Sequence, residues 1–269
     1  MKQLMKKALS LTLALMMLLG MTGTAWAEGD QSLQKVKAAG KLVAVTSPDY
    51  APYEFLDLEG KPVGSDISLI NYVAEKLGVE LELEAMDFDT ALAAIAAGKA
   101  DLCVAGMVPK PERAEIMDFT DIYYNDGKQG IVILKKNADK LKTLADFDGK
   151  VVAAQNGTLQ QQLVSEQLPK AKMEPIVKIP DAIMMVMNGK ADGVALATVV
   201  ADNYVANYPD LALCESFFDY NYLGVAMAAP KGSGELVAAV NEIIKEVEAE
   251  GLYVKWMEEA LELSSSMSK

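Results

Sequence analysis

The chain contains the same helix-to-strand unit twice, and this duplication strongly constrains its fold. DTALAAIAAGKADLCVAGM begins at Asp89 and DAIMMVMNGKADGVALAT begins at Asp181. In each copy the aspartate predicts a helix N-cap, and Gly98 or Gly189 predicts the end of that helix. The copies lie too far apart to be repeats of a solenoid. The pattern suits two similar lobes that face one crevice, and it equally suits a common connection used twice by chance.

Helices and strands alternate along the rest of the chain. KLVAVT and VELELEAM have strand character, and ISLINYVAEKL places Ile67 and Ile70 on one helix face before a stop at Gly78. VVAAQNG predicts another strand, a helix follows from about Thr158, and two amphipathic helices come last. This order predicts an α/β protein with helices packed on mostly parallel sheets, in which ligands bind at the carboxyl ends of strands.

The first 27 residues have the pattern of a secretory signal peptide. Lysines at positions 2, 6 and 7 precede an apolar stretch, and Ala25-Trp26-Ala27 forms a small-residue cleavage site. Because the stretch is shorter than a spanning helix requires, we expect cleavage near Ala27, a periplasmic location and no stable membrane insertion. Loss of three lysines would change the formal charge from -13 to -16, which argues against nucleic acid and anionic membrane surfaces as partners.

The chain has no histidine, and this excludes several classes of enzyme. Ser-His-Asp catalysis, Cys-His catalysis and histidine-based zinc sites all require that residue, and no metal or cofactor is expected. Cys103 and Cys214 each lie in an apolar, strand-like segment. Secretion would permit a disulfide between them, whereas apolar surroundings suit buried free thiols, so both possibilities stay open.

The segment after the first repeated unit, VAGMVPKPERAEIMDFTDIYY, resembles the bacterial solute-binding proteins for polar amino acids, which form family 3 of the extracellular solute-binding proteins. Gly106-Met107, Glu112-Arg113 and Asp118-Phe119-Thr120 correspond to consecutive parts of the family motif. SPDYAPYEFLDLEGKPVGSDISL, VVAAQNGT and EGLYVKW are similar to other family segments and occur in the same order. The resemblance therefore extends over essentially the whole mature chain.

The resemblance implies an α/β fold of the periplasmic binding protein type II, in which each lobe is a sheet flanked by helices and two crossing strands join the lobes. The implied parts are a signal peptide at residues 1–27, a first lobe at residues 28–124 plus 226–269, a second lobe at residues 125–225, and crossings near Asn125-Asp126 and Leu223-Val225. The protein would be a monomeric component of an ABC importer that delivers an amino acid or related carboxylate to a membrane permease. A periplasmic dehydratase of the cyclohexadienyl type is the alternative on this scaffold.

Arg113 is the principal candidate for binding a carboxylate. A guanidinium group is planar and permanently charged, so it can donate two parallel hydrogen bonds to both carboxylate oxygens. Local sequence alone would favour an ordinary surface arginine that pairs with Glu112 or Glu115. The resemblance reverses that preference.

Other candidates would complete a cleft around Arg113. Tyr50 and Phe88 would supply aromatic walls, although Phe88 would also suit a simple core position. The residues that would offer backbone groups to a ligand are Ala105, Gly106, Met107, Val108, Asn156, Gly157 and Thr158. The last three also fit a routine turn and helix cap.

Three positions depart from the family pattern. The family commonly has threonine or serine at the positions of Val108 and Leu159. Its aspartate for the ligand's α-ammonium group corresponds to Ala197, at the end of the second repeated unit. A buried cation without a counter-charge is costly. Either another acid replaces that aspartate, with Asp49, Asp181 and Asp202 as candidates, or the ligand lacks a free α-ammonium group.

Overall fold

The computed structural model describes residues 29–221 and 224–267, so the predicted signal peptide lies outside the described residues. The α-helices are α1 Ser32–Ala39, α2 Ser65–Leu77, α3 Phe88–Ala96, α4 Pro111–Ala114, α5 Leu159–Gln167, α6 Ile179–Met187, α7 Thr198–Asn207, α8 Gly234–Ala249 and α9 Leu252–Met267. The strands are β1 Lys41–Thr46, β2 Asp49–Tyr50, β3 Glu54–Leu56, β4 Pro62–Val63, β5 Glu80–Ala85, β6 Leu102–Cys103, β7 Met117–Phe119, β8 Gln129–Leu134, β9 Val151–Gln155, β10 Lys172–Ile176, β11 Gly193–Ala197, β12 Leu211–Leu213 and β13 Ala228–Pro230. Short 3-10 turns lie at Lys135–Asn137 and Leu144–Phe147. Among these described residues, no helix has the length and hydropathy that crossing a bilayer demands.

Two five-stranded sheets organise the fold, with the strand orders β5-β1-β6-β13-β7 and β10-β9-β11-β8-β12; a third, small sheet has the order β2-β3-β4. β1 is parallel to both of its neighbours, and so is β9. In contrast, β13 and β8 are antiparallel to both of theirs. The prediction of mostly parallel sheets is wrong, because β8 and β13 enter directly after the chain crosses between sheets, without a helical return that would make them parallel.

Helices cover both faces of the second sheet. Along β8, Ile131 and Ile133 pack in one apolar cluster with residues of α5, whereas Val132 and Leu134 pack in another cluster with residues of α6 and α7. Because side chains alternate between the faces of a strand, one strand contributes to two separate cores. All six residues of β8 are buried, as expected for a strand covered on both sides.

The two repeated units form the same local structure, one in each sheet. α3 is followed by Gly98, with φ of 65°, and the chain then enters β6; α6 is followed by Gly189, with φ of 68°, and the chain then enters β11. This left-handed conformation suits glycine, because a side chain would be strained there. The helix ends that both glycines predict are therefore confirmed.

The predicted helix starts are wrong in both units. The N-cap of α3 is Asp87 and that of α6 is Lys178, so Asp89 and Asp181 lie in the first helical turn. The buried Phe88 side chain belongs to α3 and extends that helix past the predicted start. In α6 a proline stands near the start, where its missing N–H removes no helical hydrogen bond. Acidic side chains in a first turn still interact favourably with the helix dipole.

The described residues that connect the two large sheets are 120–128, 214–221 and 224–227. Tyr124 and Val225 form an isolated antiparallel bridge, in which the Val225 N–H donates to the Tyr124 carbonyl oxygen at 2.9 Å. Leu223, named in the predicted second crossing, lies outside the described residues. These paired segments place the strand ends of one sheet opposite those of the other.

Both cysteines are free and buried. Cys103 lies in β6 of the first sheet, whereas Cys214 follows β12 of the second sheet, and its thiol donates to the Leu141 carbonyl oxygen at 3.3 Å. The two possibilities that the sequence left open are therefore decided in favour of separate buried thiols.

Candidate functional site

A small cavity lies where the strand ends of the two large sheets face each other. Its lining residues are Ser47, Asp49, Tyr50, Glu54, Phe88, Ala105, Gly106, Met107, Val108, Arg113, Gln155, Thr158, Leu159 and Gln160. On one side they follow β1 and β6 or belong to β2, β3, α3 and α4. On the other side they lie at the end of β9 and the start of α5. The free volume is about 20 Å³, enough for roughly one water molecule. An outer cavity of about 710 Å³ adjoins it at Ser47 and Asp49.

The structure brings most of the predicted binding residues together in this cavity. Those that line it are Asp49, Tyr50, Phe88, Ala105, Gly106, Met107, Val108, Arg113 and Thr158. Asn156, Gly157 and Ala197 do not line it. The Asn156 N–H donates to the Ile176 carbonyl at 3.0 Å and the Gly157 N–H donates to Gln161 Oε1 at 2.8 Å, so protein acceptors occupy both groups.

Arg113 is the only arginine in the sequence, and its residue is only 7% exposed. Nη1 donates to the Val108 carbonyl at 2.7 Å, and Nη2 donates across the cleft to the Gly157 carbonyl at 2.7 Å. The guanidinium carbon lies 5.5 Å from the centre of the Phe88 ring. Within residues 29–221 and 224–267 no carboxylate forms an ion pair with Arg113. Burial lowers the pKa of Arg113 to about 10, so the group is still a cation at pH 7.

The cationic character extends to the neighbouring helix start. Lys110 is half-buried, and its Nζ donates to the neutral side chain of Gln162 at 3.1 Å. Burial and, secondly, the charge of Arg113 lower the pKa of Lys110. Glu112 and Glu166 act on Lys110 in the opposite direction, but within the described residues neither cation forms an ion pair, and the two positive charges together favour an anion.

Of the three acids considered as replacements for the family aspartate, only Asp49 lies in the cleft. Asp181 and Asp202 are exposed and outside the lining. The Asp49 carboxylate accepts hydrogen bonds from Gln155 Nε2 at 2.8 Å, the Ile179 N–H at 2.9 Å and the Ser47 hydroxyl at 3.0 Å. Burial raises the pKa of Asp49, although these hydrogen bonds oppose the rise. Asp49 therefore joins the two sides of the cleft at the first turn of α6.

Glu54, at the cavity wall, and Asp66, outside the lining, form a buried acidic pair. Asp66 accepts hydrogen bonds from the Tyr253 hydroxyl at 2.6 Å, the Gly106 N–H at 2.8 Å and the Tyr123 hydroxyl at 2.9 Å. Glu54 is 1% exposed, and Oε2 has no hydrogen-bond partner within the described ranges. Burial and then the nearby charge of Asp66 raise the pKa of Glu54 well above its usual range. The neutral form of Glu54 is therefore favoured, beside an Asp66 whose charge is stabilised by three donors.

Tyr50 connects the two sides of the cavity through its hydroxyl group. Tyr50 Oη accepts a hydrogen bond from the Ala197 N–H at 3.2 Å and another from Gln160 Nε2 at 3.2 Å. The Tyr50 ring stacks on Tyr53 with a centroid distance of 5.9 Å. The position that corresponds to the family aspartate thus contacts the aromatic wall through its backbone.

Sequence analysis missed four polar residues that line the cavity: Ser47, Glu54, Gln155 and Gln160. Three of them, all except Ser47, carried a local signal. Glu54 is an acid between two aromatic residues, Gln155 is a polar residue at the end of an apolar strand, and Gln160 follows Leu159 on the buried side of α5. Such polar residues at core positions need partners, and here the cleft provides them.

Comparison with known proteins places this chain in one family. The sequence model of the bacterial extracellular solute-binding proteins, family 3, matches residues 42–261. The arginine-binding extracellular protein ArtP of Bacillus subtilis is 32% identical over 80% of this chain and 86% of its own.

Two solved structures extend the comparison to the fold. The amino-acid ABC transporter substrate-binding protein AbpA of Streptococcus pneumoniae, bound to L-arginine, has a TM-score of 0.83 and 34% identity, covering 86% of this chain and 98% of its own. The ancestral amino-acid-binding protein AncCDT-1, a precursor of cyclohexadienyl dehydratase, has a TM-score of 0.79 and 32% identity, covering 86% of this chain and 99% of its own. The two-lobed α/β fold expected from the sequence is thereby confirmed.

Proposed function

Because the chain belongs to family 3 of the bacterial extracellular solute-binding proteins, we propose that it captures an amino-acid-like carboxylate between its lobes and delivers it to the permease of an ABC importer. The names of its relatives, an arginine-binding protein and amino-acid-binding proteins, support this class of solute. The lobes would comprise residues 28–124 plus 226–269 and residues 125–225. The chain, cleaved near Ala27, would act as a periplasmic monomer without catalytic activity.

The environment of Arg113 is the observation that carries this proposal. A buried cation without an anionic partner is costly, and an anion that enters the cleft would remove that cost. The two nitrogens that now bond to carbonyl oxygens, Nη1 and Nη2, are those that a carboxylate would use. We therefore assign the solute carboxylate to Arg113.

Entry of the solute would require the lobes to separate. A cavity that admits about one water molecule is too small for a solute of several heavy atoms. Its walls are held together by bonds from Arg113 to the Gly157 carbonyl and from the Ile179 N–H to Asp49, which join the two sides. Hinge motion at the paired crossings would open the cleft, and closure would then enclose the solute.

A thermal-shift screen followed by calorimetry tests the proposal. The panel contains amino acids, their N-acyl derivatives, 2-oxo acids and simple organic acids. A ligand present at one hundred times its dissociation constant should stabilise the protein by about 2.7 kcal/mol. Arg113→Met should weaken binding of every active compound at least about 100-fold, because two charge-assisted hydrogen bonds are lost.

Lys76→Ala is the matched control for Arg113→Met. Lys76 also lies over an aromatic ring, 5.1 Å from the centre of Tyr72, but it is exposed and outside the cavity. This control should bind with unchanged affinity. If Arg113→Met retained full affinity for the active compound, the carboxylate would not lie at Arg113 and the proposed site would be wrong.

A dehydratase is the second candidate, and Glu54 is the observation that favours it. A buried acid with a raised pKa that lines a cavity can protonate a leaving hydroxyl group. Incubation with prephenate or arogenate, with detection of the aromatic product by absorbance, tests this candidate. Turnover that disappears in Glu54→Gln would establish an enzyme, whereas absence of turnover would leave the binding protein as the function.

A further inference from the structure

The hydroxyl group of Tyr50 has a free hydrogen at the cavity wall. A phenol oxygen has two acceptor positions and one donor hydrogen. The Ala197 N–H and Gln160 Nε2 occupy the two acceptor positions. Within the described part of the chain, no protein acceptor receives the Tyr50 hydrogen. Since Tyr50 lines the cavity together with Arg113, its hydroxyl is available as a donor to a solute held there.

Groups outside the cavity determine that Ala197 and Gln160 donate to the Tyr50 oxygen and do not accept from it. A backbone N–H can only donate, so the bond from Ala197 cannot be reversed. The bond from Gln160 is fixed through a relay that begins at Asp126: Asp126 Oδ2 accepts from Gln129 Nε2 at 2.8 Å, and Gln129 Oε1 accepts from Gln160 Nε2 at 2.6 Å. The ionised carboxylate orients both amides, and the second amide directs its remaining N–H at Tyr50.

The position beside this donor that corresponds to the family aspartate carries no charge. Ala197 has no polar side chain, and the Asp49 carboxylate, which lines the cavity, already accepts three hydrogen bonds from the protein. Glu54 is favoured in its neutral form beside Asp66. Gln155 and Gln160 contribute amides, which carry no charge. An ammonium group in the cavity would therefore lie near the cationic Arg113, and it would have to displace protein donors from Asp49 or ionise Glu54 to gain a counter-charge.

We propose that the solute carries a neutral acceptor oxygen, and not an ammonium group, on the carbon next to its carboxylate, as 2-oxo acids and 2-hydroxy acids do. Arg113 would bind the carboxylate, and the Tyr50 hydroxyl would donate to the adjacent oxygen. Because Arg113 and Tyr50 line the same small cavity, the two groups must be close together on the solute. This assignment of solute class rests on the proposed function.

Calorimetry with matched pairs of compounds tests the assignment. Each pair shares a side chain and differs only at the carbon beside the carboxylate: alanine and pyruvate, leucine and 4-methyl-2-oxopentanoate, phenylalanine and phenylpyruvate, glutamate and 2-oxoglutarate. In each pair that binds, the 2-oxo acid should bind at least tenfold more tightly than the amino acid. Equal affinity, or tighter binding of the amino acid, would overturn the assignment.

Tyr50→Phe removes the donor and retains the ring that stacks on Tyr53. This variant should weaken binding of the 2-oxo acid by roughly two- to tenfold, the effect of one neutral hydrogen bond, and weaken binding of the amino acid by a smaller factor. Equal losses for both members of a pair would mean a merely structural role for the hydroxyl. Ala197→Asp supplies the missing charge and should shift the preference toward the amino acid; circular dichroism checks that both variants fold.

The outcomes separate this assignment from the proposed function. Tight amino-acid binding that depends on Arg113 would contradict the solute class alone and support the carboxylate site. Failure of every carboxylate to bind would contradict both. Preference for the 2-oxo acid that is lost in Tyr50→Phe would support both.

Discussion

Replacing Asp126 with asparagine should remove part of the pH dependence of the free energy of unfolding. Asp126 lies in the first crossing between the sheets and is 2% exposed. Oδ2 accepts from Gln129, whereas Oδ1 has no hydrogen-bond partner in the described ranges. Burial raises the pKa of Asp126 from 3.8 to about 6. Asparagine keeps an oxygen that can accept the same hydrogen bond but cannot titrate.

The magnitude follows from proton linkage. An acid with a higher pKa in the folded state binds its proton more tightly there, so the fold becomes more stable as the pH falls through the folded pKa of Asp126. The interval of about two pH units corresponds to roughly 3 kcal/mol at 1.36 kcal/mol per unit. Of this, about 1.4 kcal/mol should appear between pH 7 and pH 5, and the remainder below pH 5.

Urea unfolding of the wild type and the variant at pH 5, 6 and 7 measures this quantity. The difference in unfolding free energy between the two proteins should change by about 1.4 kcal/mol over this range. A constant offset at every pH does not affect the test, and other buried acids contribute to both proteins alike. Asp139→Asn, at a fully exposed side chain, should parallel the wild type. Parallel curves for Asp126→Asn and the wild type would refute the reasoning.

Substitution of two glycines and chemical labelling of the two cysteines give further predictions. Gly127 and Gly149 both have positive φ, 74° and 72°, but an added Cβ would overlap the Thr198 hydroxyl only at Gly127. Gly149→Ala should lose about 1 kcal/mol of unfolding free energy, and Gly127→Ala a further 1–3 kcal/mol or so, measured by urea unfolding; equal losses would contradict the overlap. Cys103 and Cys214 are 0% and 2% exposed, so a thiol reagent should label both only after denaturation; a native mass two hydrogens lower would reveal a disulfide instead.

Local features of the fold were predictable from the sequence where one residue type determines the outcome. The apolar face of α2 and its end at Gly78, with φ of 73°, follow from helical periodicity and from the freedom of glycine. Helix starts were less predictable, because Asp87 and Asp89 are both acceptable caps and the packing of Phe88 decides between them. Local sequence does not contain that packing.

Similarity to the family predicted that Tyr50 and Arg113 would lie in the cleft. It did not predict the contacts that determine their chemistry. The bond from Ala197 to Tyr50 joins residues 147 positions apart, and the bond from Ile179 to Asp49 joins residues 130 positions apart. Such pairs depend on how the two sheets face each other, which no local pattern specifies. The three protein donors that already bind the Asp49 carboxylate became visible only once both sheets were in place.

The position of β13 also bears on the order in which the chain can fold. β13 lies between β6 and β7, yet it follows every strand of the second sheet in sequence. The second sheet is built from one continuous stretch, residues 129–213, whereas the first needs a strand at residues 228–230 to join its two parts. A nascent chain shorter than 230 residues therefore cannot complete the first sheet. The half that contributes Arg113 is complete only after nearly the entire polypeptide has become available, and the closing of that long loop adds to its entropic cost.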